Sequence, residues 1–295
     1  MLHRFLTTLS VAGVCFCASP AVPDASDAIL DEPELKFDAA PLPNDGAFAE
    51  AARTDPLRML ALAAKRYKLA RREGNKEVVV GYTAVFHKQE RIDGKLHSPE
   101  TIRLSFREEP YAVRMHWEQG GRGLADATLY VARENDGKML ARTKLFGVTE
   151  ADPRGRLPRG SARYSIEDAG FFSGTKRALR VWSAAEARGS LEWKYLGTRP
   201  VPAAGGRECH IVRRICAVDE IDAFAVGEPS PRITDENRPD SFRSITLYFD
   251  CRTWFQAGSE LHRHDGALVG SYFYRDVMLN PALPPGAFTK AALRK

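Results

Sequence analysis

Two periodicities divide the chain. Over residues 78–143, and again over 190–278, apolar residues recur mostly at every second position, the spacing of strands with one buried face. Over residues 54–72 and 171–188 they recur at helical spacing. The first helix is expected to start at Thr54-Asp55-Pro56, an oxygen-bearing cap followed by Pro at the first helical position. Leu57, Leu60, Ala61, Ala64 and Leu69 form one side of it. Lys65, Arg66, Lys68, Arg71 and Arg72 load its last turns, and Glu73-Gly74-Asn75 ends it.

The strands are punctuated by hairpin signals. Asp93-Gly94 is a two-residue turn dipeptide, so residues 78–92 fold back on the segment that follows. With that turn, Ile92 faces Lys95, Val85 faces Ile102, Gly81 faces Phe106 and His87 faces Glu100. Odd positions of the first strand and even positions of the second then make the apolar face. Tyr111, Val113, Met115 and Trp117 share one side of a strand over 111–118, followed by a glycine turn at Gly120, Gly121 and Gly123. Strands at 127–133 and 138–143 flank Asn135-Asp136-Gly137. Residues 150–163 read as a loop carrying Arg154, Arg156, Arg159 and Arg163. The helix over 171–188 follows, with Ala178, Leu179, Trp182 and Ala185 on one side and Gly189 as its stop. Strands resume at 190–198 and 207–216. An acidic, Pro-containing surface excursion occupies 217–241, and strands at 242–255, 256–263 and 267–278 close the domain. About ten consecutive strands and two long helices, without βαβ alternation, predict an α+β fold built on a curved, mostly antiparallel sheet.

Charge and composition then narrow the class. Of 295 residues, 43 are Lys or Arg and 38 Asp or Glu, a net charge of +5 that is far from a nucleic-acid-binding surplus. Thirty-one of the bases are arginines, a skew towards planar anion contacts. Residues 1–21 read as a signal peptide: basic Arg4, an apolar run over 5–18, then Ser19 and Ala21 at a small-x-small site. Cleavage is placed after Ala21, with Ala18 and Ala25 as alternatives. Cys15 and Cys17 leave with it. Residues 22–47 form an acidic flexible leader, order is expected from about Ala47, and a single domain fills 48–295. The expected location is the periplasm.

No nucleotide-binding glycine motif, zinc-protease motif, nucleophile elbow or CxxC pair occurs. Cys209, His210, Cys216, His262 and His264 match no zinc framework, and Cys209 and Cys216 point to opposite strand faces roughly 23 Å apart at ~3.3 Å per residue. Glu90, Asp93 and Glu100 read as solvated strand-end charges, and His87 opposite Glu100 as a structural pair. No catalytic residue, metal or cofactor is expected. Cys209 and Cys251, one residue out of register on neighbouring strands, are candidates for a disulfide.

The run from Tyr82 to Leu96, the segment Arg107-Glu108-Glu109-Pro110-Tyr111-Ala112-Val113, the run from Tyr130 to Lys138 and the closing Tyr272 to Asn280 resemble the signatures of a bacterial exported family, domain-of-unknown-function family 1571. The resemblance covers about residues 55–290. It implies a fold similar to the LolA-like half-open barrel, with two long helices on the concave face of the sheet, and no defined catalytic residue. On that reading the chain is a periplasmic or cell-envelope binder of lipid or lipoprotein acyl chains. The apolar wall would be Val85, Ile102, Leu104, Phe106, Met115 and Trp117. The lid would be Phe172, Leu179 and Trp182, and Arg154, Arg156 and Arg159 would form an anionic-headgroup rim. The competing readings are a non-catalytic envelope module that recognises a protein, with a fully packed core, and a lipid- or glycan-modifying enzyme. A membrane surface or envelope protein is a further expected partner.

Overall fold

The structure is a computed structural model that describes residues 44–69, 80–121, 123–221, 233–235 and 238–294. The signal segment, the leader up to residue 43, the helix stop at Glu73-Gly74-Asn75 and residues 222–232 and 236–237 of the acidic excursion lie outside the described residues. Four α-helices are described: α1 (Asp45–Thr54), α2 (Pro56–Leu69), α3 (Arg156–Arg159) and α4 (Phe171–Ala187). Helix α1 falls at the border drawn for the leader. The Asn44 side chain caps it by accepting from the Ala47 N–H, and Phe48, Ala51 and Ala52 supply its buried side.

The strands are β1 (Gly81–Ile92), β2 (Lys95–Leu96), β3 (Glu100–Arg107), β4 (Ala112–Gln119), β5 (Ala125–Val131), β6 (Met139–Thr143), β7 (Gly147–Ala151), β8 (Glu192–Val201), β9 (Arg207–Glu220), β10 (Phe242–Asp250), β11 (Gln256–His262) and β12 (Leu268–Leu279). They form one sheet in the order β7-β6-β5-β4-β3-β1-β12-β11-β10-β9-β8, with β2 paired to β1, and every pairing is antiparallel. The chain steps outward from β1 to the edge strand β7, crosses through α3 and α4 to the other edge at β8, and returns until β12 lies against β1. The antiparallel α+β reading holds. The strand count is twelve, because β2 and β7 add to the ten expected.

The register of the first hairpin differs from the expected one. Ile92 faces Lys95 as read, but β3 pairs with β1 one residue further on: Val85 faces Arg103, Gly81 faces Arg107 and His87 faces Thr101. The extra residue sits in the link 97–99, where the His97 N–H donates to the Glu90 carbonyl at 2.9 Å. A one-residue slip turns every side chain of β1 over. Tyr82, Ala84, Phe86, Lys88 and Glu90 therefore share a face with Glu100, Ile102, Leu104 and Phe106, while Val85 lies on the opposite face.

Both faces of the sheet are covered in part. Tyr67 of α2 and Phe171 of α4 pack on the inner face with Tyr82, Ala84, Leu104, Phe106, Val113, Tyr130 and Phe255. On the outer face the C-terminal segment brings Ala287, Phe288 and Leu293 against Ala112, Ala127, Leu129, Val131 and Leu140. Fully burying a Leu or Phe contributes about 1.5–3 kcal/mol relative to exposure, so each cluster is a substantial anchor. Gly170, just before α4, has φ +108°, and a Cβ there would lie 2.9 Å from the Phe106 ring. Only glycine lets α4 begin this close to the sheet, where the Tyr82 hydroxyl accepts from the Phe171 N–H.

Asp250 faces Cys209, so Cys251 is one residue out of register with Cys209 as read from the sequence. Cys209, Cys216 and Cys251 are free thiols, and no Cys209–Cys251 bridge is formed. Burial pushes the Cys209 thiol up to about 12 and that of Cys251 up to about 11.

Candidate functional site

The inner face between β4, β3, β1 and β12 brings most of the expected wall together. Ile102 faces Trp117, Leu104 faces Met115 and Phe106 faces Val113, all on one side. Leu104 and Phe106 are buried in the central cluster, and Met115 and Phe172 pack against its border half-buried. Ile102 is fully buried. Of the three expected lid residues, Phe172 meets this cluster. Leu179 and Trp182 belong instead to the buried stripe of α4 with Phe171, Thr175, Ala178 and Ala185, on a helix that packs against α2 and β11.

Aromatic stacking orders the floor. Tyr82 stacks on Phe106 at 4.7 Å and on Phe171 at 4.2 Å between ring centroids. Phe86 stacks on Tyr274 at 4.8 Å, and Tyr67 stacks on Phe172 at 5.4 Å. Burial drives the Tyr82 and Tyr272 hydroxyls well above the usual tyrosine range and pushes Tyr274 up to about 12, so all three are neutral hydrogen-bonding groups at physiological pH. Phe86, Met115, Phe172 and Tyr274 remain half-buried and pack against the central cluster as its apolar border, and Trp117 and Tyr164 are half-buried as well.

Next to this border lies a group whose carboxylates, Glu90 and Glu100, the sequence reading assigned to solvent. Lys88 is buried, with its ammonium 3.0 Å from Glu90 and 3.5 Å from Glu100, both of them buried too. The register explains it, since Lys88 faces Glu100 on β3 and Tyr272 on β12, on the inner side of all three strands. The Tyr272 hydroxyl donates to Glu90 at 2.9 Å, the Arg163 N–H donates to the same carboxylate at 3.3 Å, and the Trp117 indole N–H donates to Glu100. The Tyr272 ring folds over Gly270, where a Cβ would come within 2.8 Å of it. Burial alone would lower the Lys88 pKa, but the Glu90 and Glu100 charges outweigh it, and the net shift is upward. The expected His87–Glu100 pair is replaced by a 3.3 Å contact between the His87 ring and the Thr101 hydroxyl, and burial lowers the His87 pKa.

The arginine loop is held to the body in two places. Arg154 pairs with Glu167 at 2.9 Å and Asp168 at 3.1 Å, so its charge is already answered. Arg163 donates to the Asp240 carbonyl at 3.0 Å and to the Arg91 carbonyl at 3.3 Å. Asp240, at the end of the acidic excursion, accepts in turn from the Asp93 and Gly94 N–H groups of the β1–β2 turn at 2.8 and 2.9 Å. Arg156 and Arg159 stand on the exposed helix α3. Among the described residues no three His, Cys, Asp or Glu side chains are grouped to hold a metal ion, and no helix is long and apolar enough to cross a membrane.

Comparisons with known proteins bear on the fold more than on the site. A family model described as protein of unknown function (DUF1571) matches residues 79–292. No curated protein matches the chain. Among solved structures, MucB in the MucA/MucB complex of Pseudomonas aeruginosa is similar at 13% identity and a TM-score of 0.38, over 78% of this chain and 62% of that one. The chain thus spans less than two thirds of MucB. The lipoprotein LppX of Mycobacterium tuberculosis is similar at 12% identity and a TM-score of 0.38, over 78% of this chain and 99% of that one. A LolA superfamily protein from Nitrosomonas europaea is similar at 10% identity and a TM-score of 0.30, over 78% of this chain and 97% of that one. Likeness at this level carries no argument about what the chain binds.

Proposed function

We propose a function from the geometry, since this chain belongs to the DUF1571 family, which is described only as of unknown function. The chain is an exported periplasmic binder that holds lipid or lipoprotein acyl chains against the inner face of its sheet. The observation that supports this reading is the apolar border. Phe86, Met115, Phe172 and Tyr274 pack against the buried cluster on one side and stay half-open on the other. The sheet therefore offers more apolar width than its helices cover. An acyl chain laid along that border gains about 0.8 kcal/mol per buried CH₂, so a chain of ordinary length gains several kcal/mol. Trp117 and Tyr164 flank the border and add flat apolar surface beside the Lys88 cluster.

Native mass spectrometry tests the reading on the full chain purified without detergent and then exposed to phospholipid. The expected spectrum carries discrete lipid-sized adducts. A bare chain at every lipid concentration would overturn the reading and favour the envelope module with a closed core.

A further inference from the structure

The turn between β4 and β5 and the turn between β6 and β7 lie at the same end of the sheet. Ala125 opens β5 opposite Thr143, the last residue of β6, and Thr143 in turn faces Gly147, the first residue of β7. Helix α3 joins them there. A Cβ on Gly123 would lie 3.9 Å from Ser161, and the Ser161 hydroxyl donates to the Leu157 carbonyl of α3 at 3.0 Å.

These three neighbouring ends share an unusual surface. Leu124 is 70% exposed, Leu145 78%, Phe146 69% and Leu157 80%. A lone exposed leucine needs no explanation, but four large apolar side chains on three adjacent ends do. The bases beside them are exposed as well: Lys144 precedes Leu145, and Arg156 precedes Leu157. None of the segments 120–124, 144–146 and 155–161 contains an Asp or Glu. Apolar tips with bases beside them match an interface whose outer layer is anionic and whose inner layer is apolar, and the acids at the adjoining ends of β4 and β5, Glu118 and Asp126, are paired with Arg103 and Arg142.

We infer that this end of the sheet is a docking surface for an anionic lipid bilayer. Leu124, Leu145, Phe146 and Leu157 enter the boundary between headgroups and acyl chains, and Lys144 and Arg156 meet the phosphates. The partner is a membrane, and docking does not depend on the inner face holding a ligand.

Flotation of the full chain with phosphatidylcholine vesicles, with and without phosphatidylglycerol, tests it. The wild type floats with the phosphatidylglycerol vesicles at low salt, and less so as salt rises. Leu145→Ser with Phe146→Ser, and separately Lys144→Glu with Arg156→Glu, each lower the partition coefficient at least about tenfold. Both variants keep the wild-type melting temperature, and Leu145→Ser with Phe146→Ser also keeps the wild-type uptake of a soluble fluorescent fatty acid, so surface docking and ligand holding are read separately. Absence of wild-type flotation overturns the inference. So does flotation that the substitutions leave unchanged, or flotation indifferent to phosphatidylglycerol.

Discussion

Strand β1 carries two kinds of buried cluster on one face. Near its start, Tyr82 is stacked between Phe106 and Phe171. Near its end, Lys88 is enclosed by Glu90 and Glu100. The aromatic group stabilises by burial itself, and the loss of one ring costs the contacts it made and the cavity it leaves. The ionic group is different. Taking its charges out of water costs free energy, and the cost is offset only while every partner is present. Two regions of equal burial thus contribute in opposite ways: one is a source of stability, and the other fixes which residues face each other.

That contrast is broken first at Lys88. Lys88→Met leaves Glu90 and Glu100 buried without their cation, and unfolding in urea should show a loss of about 3–5 kcal/mol. Its pH dependence sharpens the point. The folded pKa of Lys88 is raised, so its contribution is fully present below the unfolded value of about 10.4 and is lost as pH rises through the folded value. The stability gap between wild type and Lys88→Met should therefore close at strongly alkaline pH. A gap independent of pH up to alkaline unfolding would contradict the ionic account. At the aromatic side, Leu104→Trp overpacks a residue that is 1% exposed and should cost about 1–3 kcal/mol in a thermal melt. The smallest effect is expected outside the buried network. The Arg103–Glu118 pair, 68% and 31% exposed, sits on the outer side, and Arg103→Ala should change stability by less than about 1 kcal/mol.

The antiparallel order was legible because Asp93-Gly94 and Asn135-Asp136-Gly137 mark turns whose chemistry is local. Helix α4 was legible because its apolar spacing is regular and Gly189 follows it. The inner face of β1 was not. Tyr82-Thr83-Ala84-Val85-Phe86 has apolar residues on both sides, and Lys88 and Glu90 argue for solvent unless a partner at Glu100 is known. That partner depends on one extra residue in the link 97–99, which no pattern within either strand records. Helix α1 was hidden by its acidic, Pro-rich surroundings, although Asn44 and the spacing of Phe48, Ala51 and Ala52 carried the signal. That Ile102, Leu104, Phe106, Met115 and Trp117 share one face was legible because β3 and β4 alternate cleanly. Val85 was misplaced by the same slip that hid the ionic cluster. Arg154 was read as a headgroup contact because nothing in the loop sequence shows that Glu167 and Asp168 fold back onto it.

The central claim is that the half-open border of the inner face, not the buried cluster behind it, holds acyl chains. Titration of a fluorescent fatty acid into wild type and Met115→Trp tests it most directly, with a thermal melt of each. Met115 is half-buried at the border, so the larger side chain is accommodated with little change in melting temperature, while it occupies the space of the ligand. The expected result is saturable wild-type binding that Met115→Trp weakens at unchanged stability. Saturable binding of equal affinity in both proteins, or no binding by the wild type, would contradict the account.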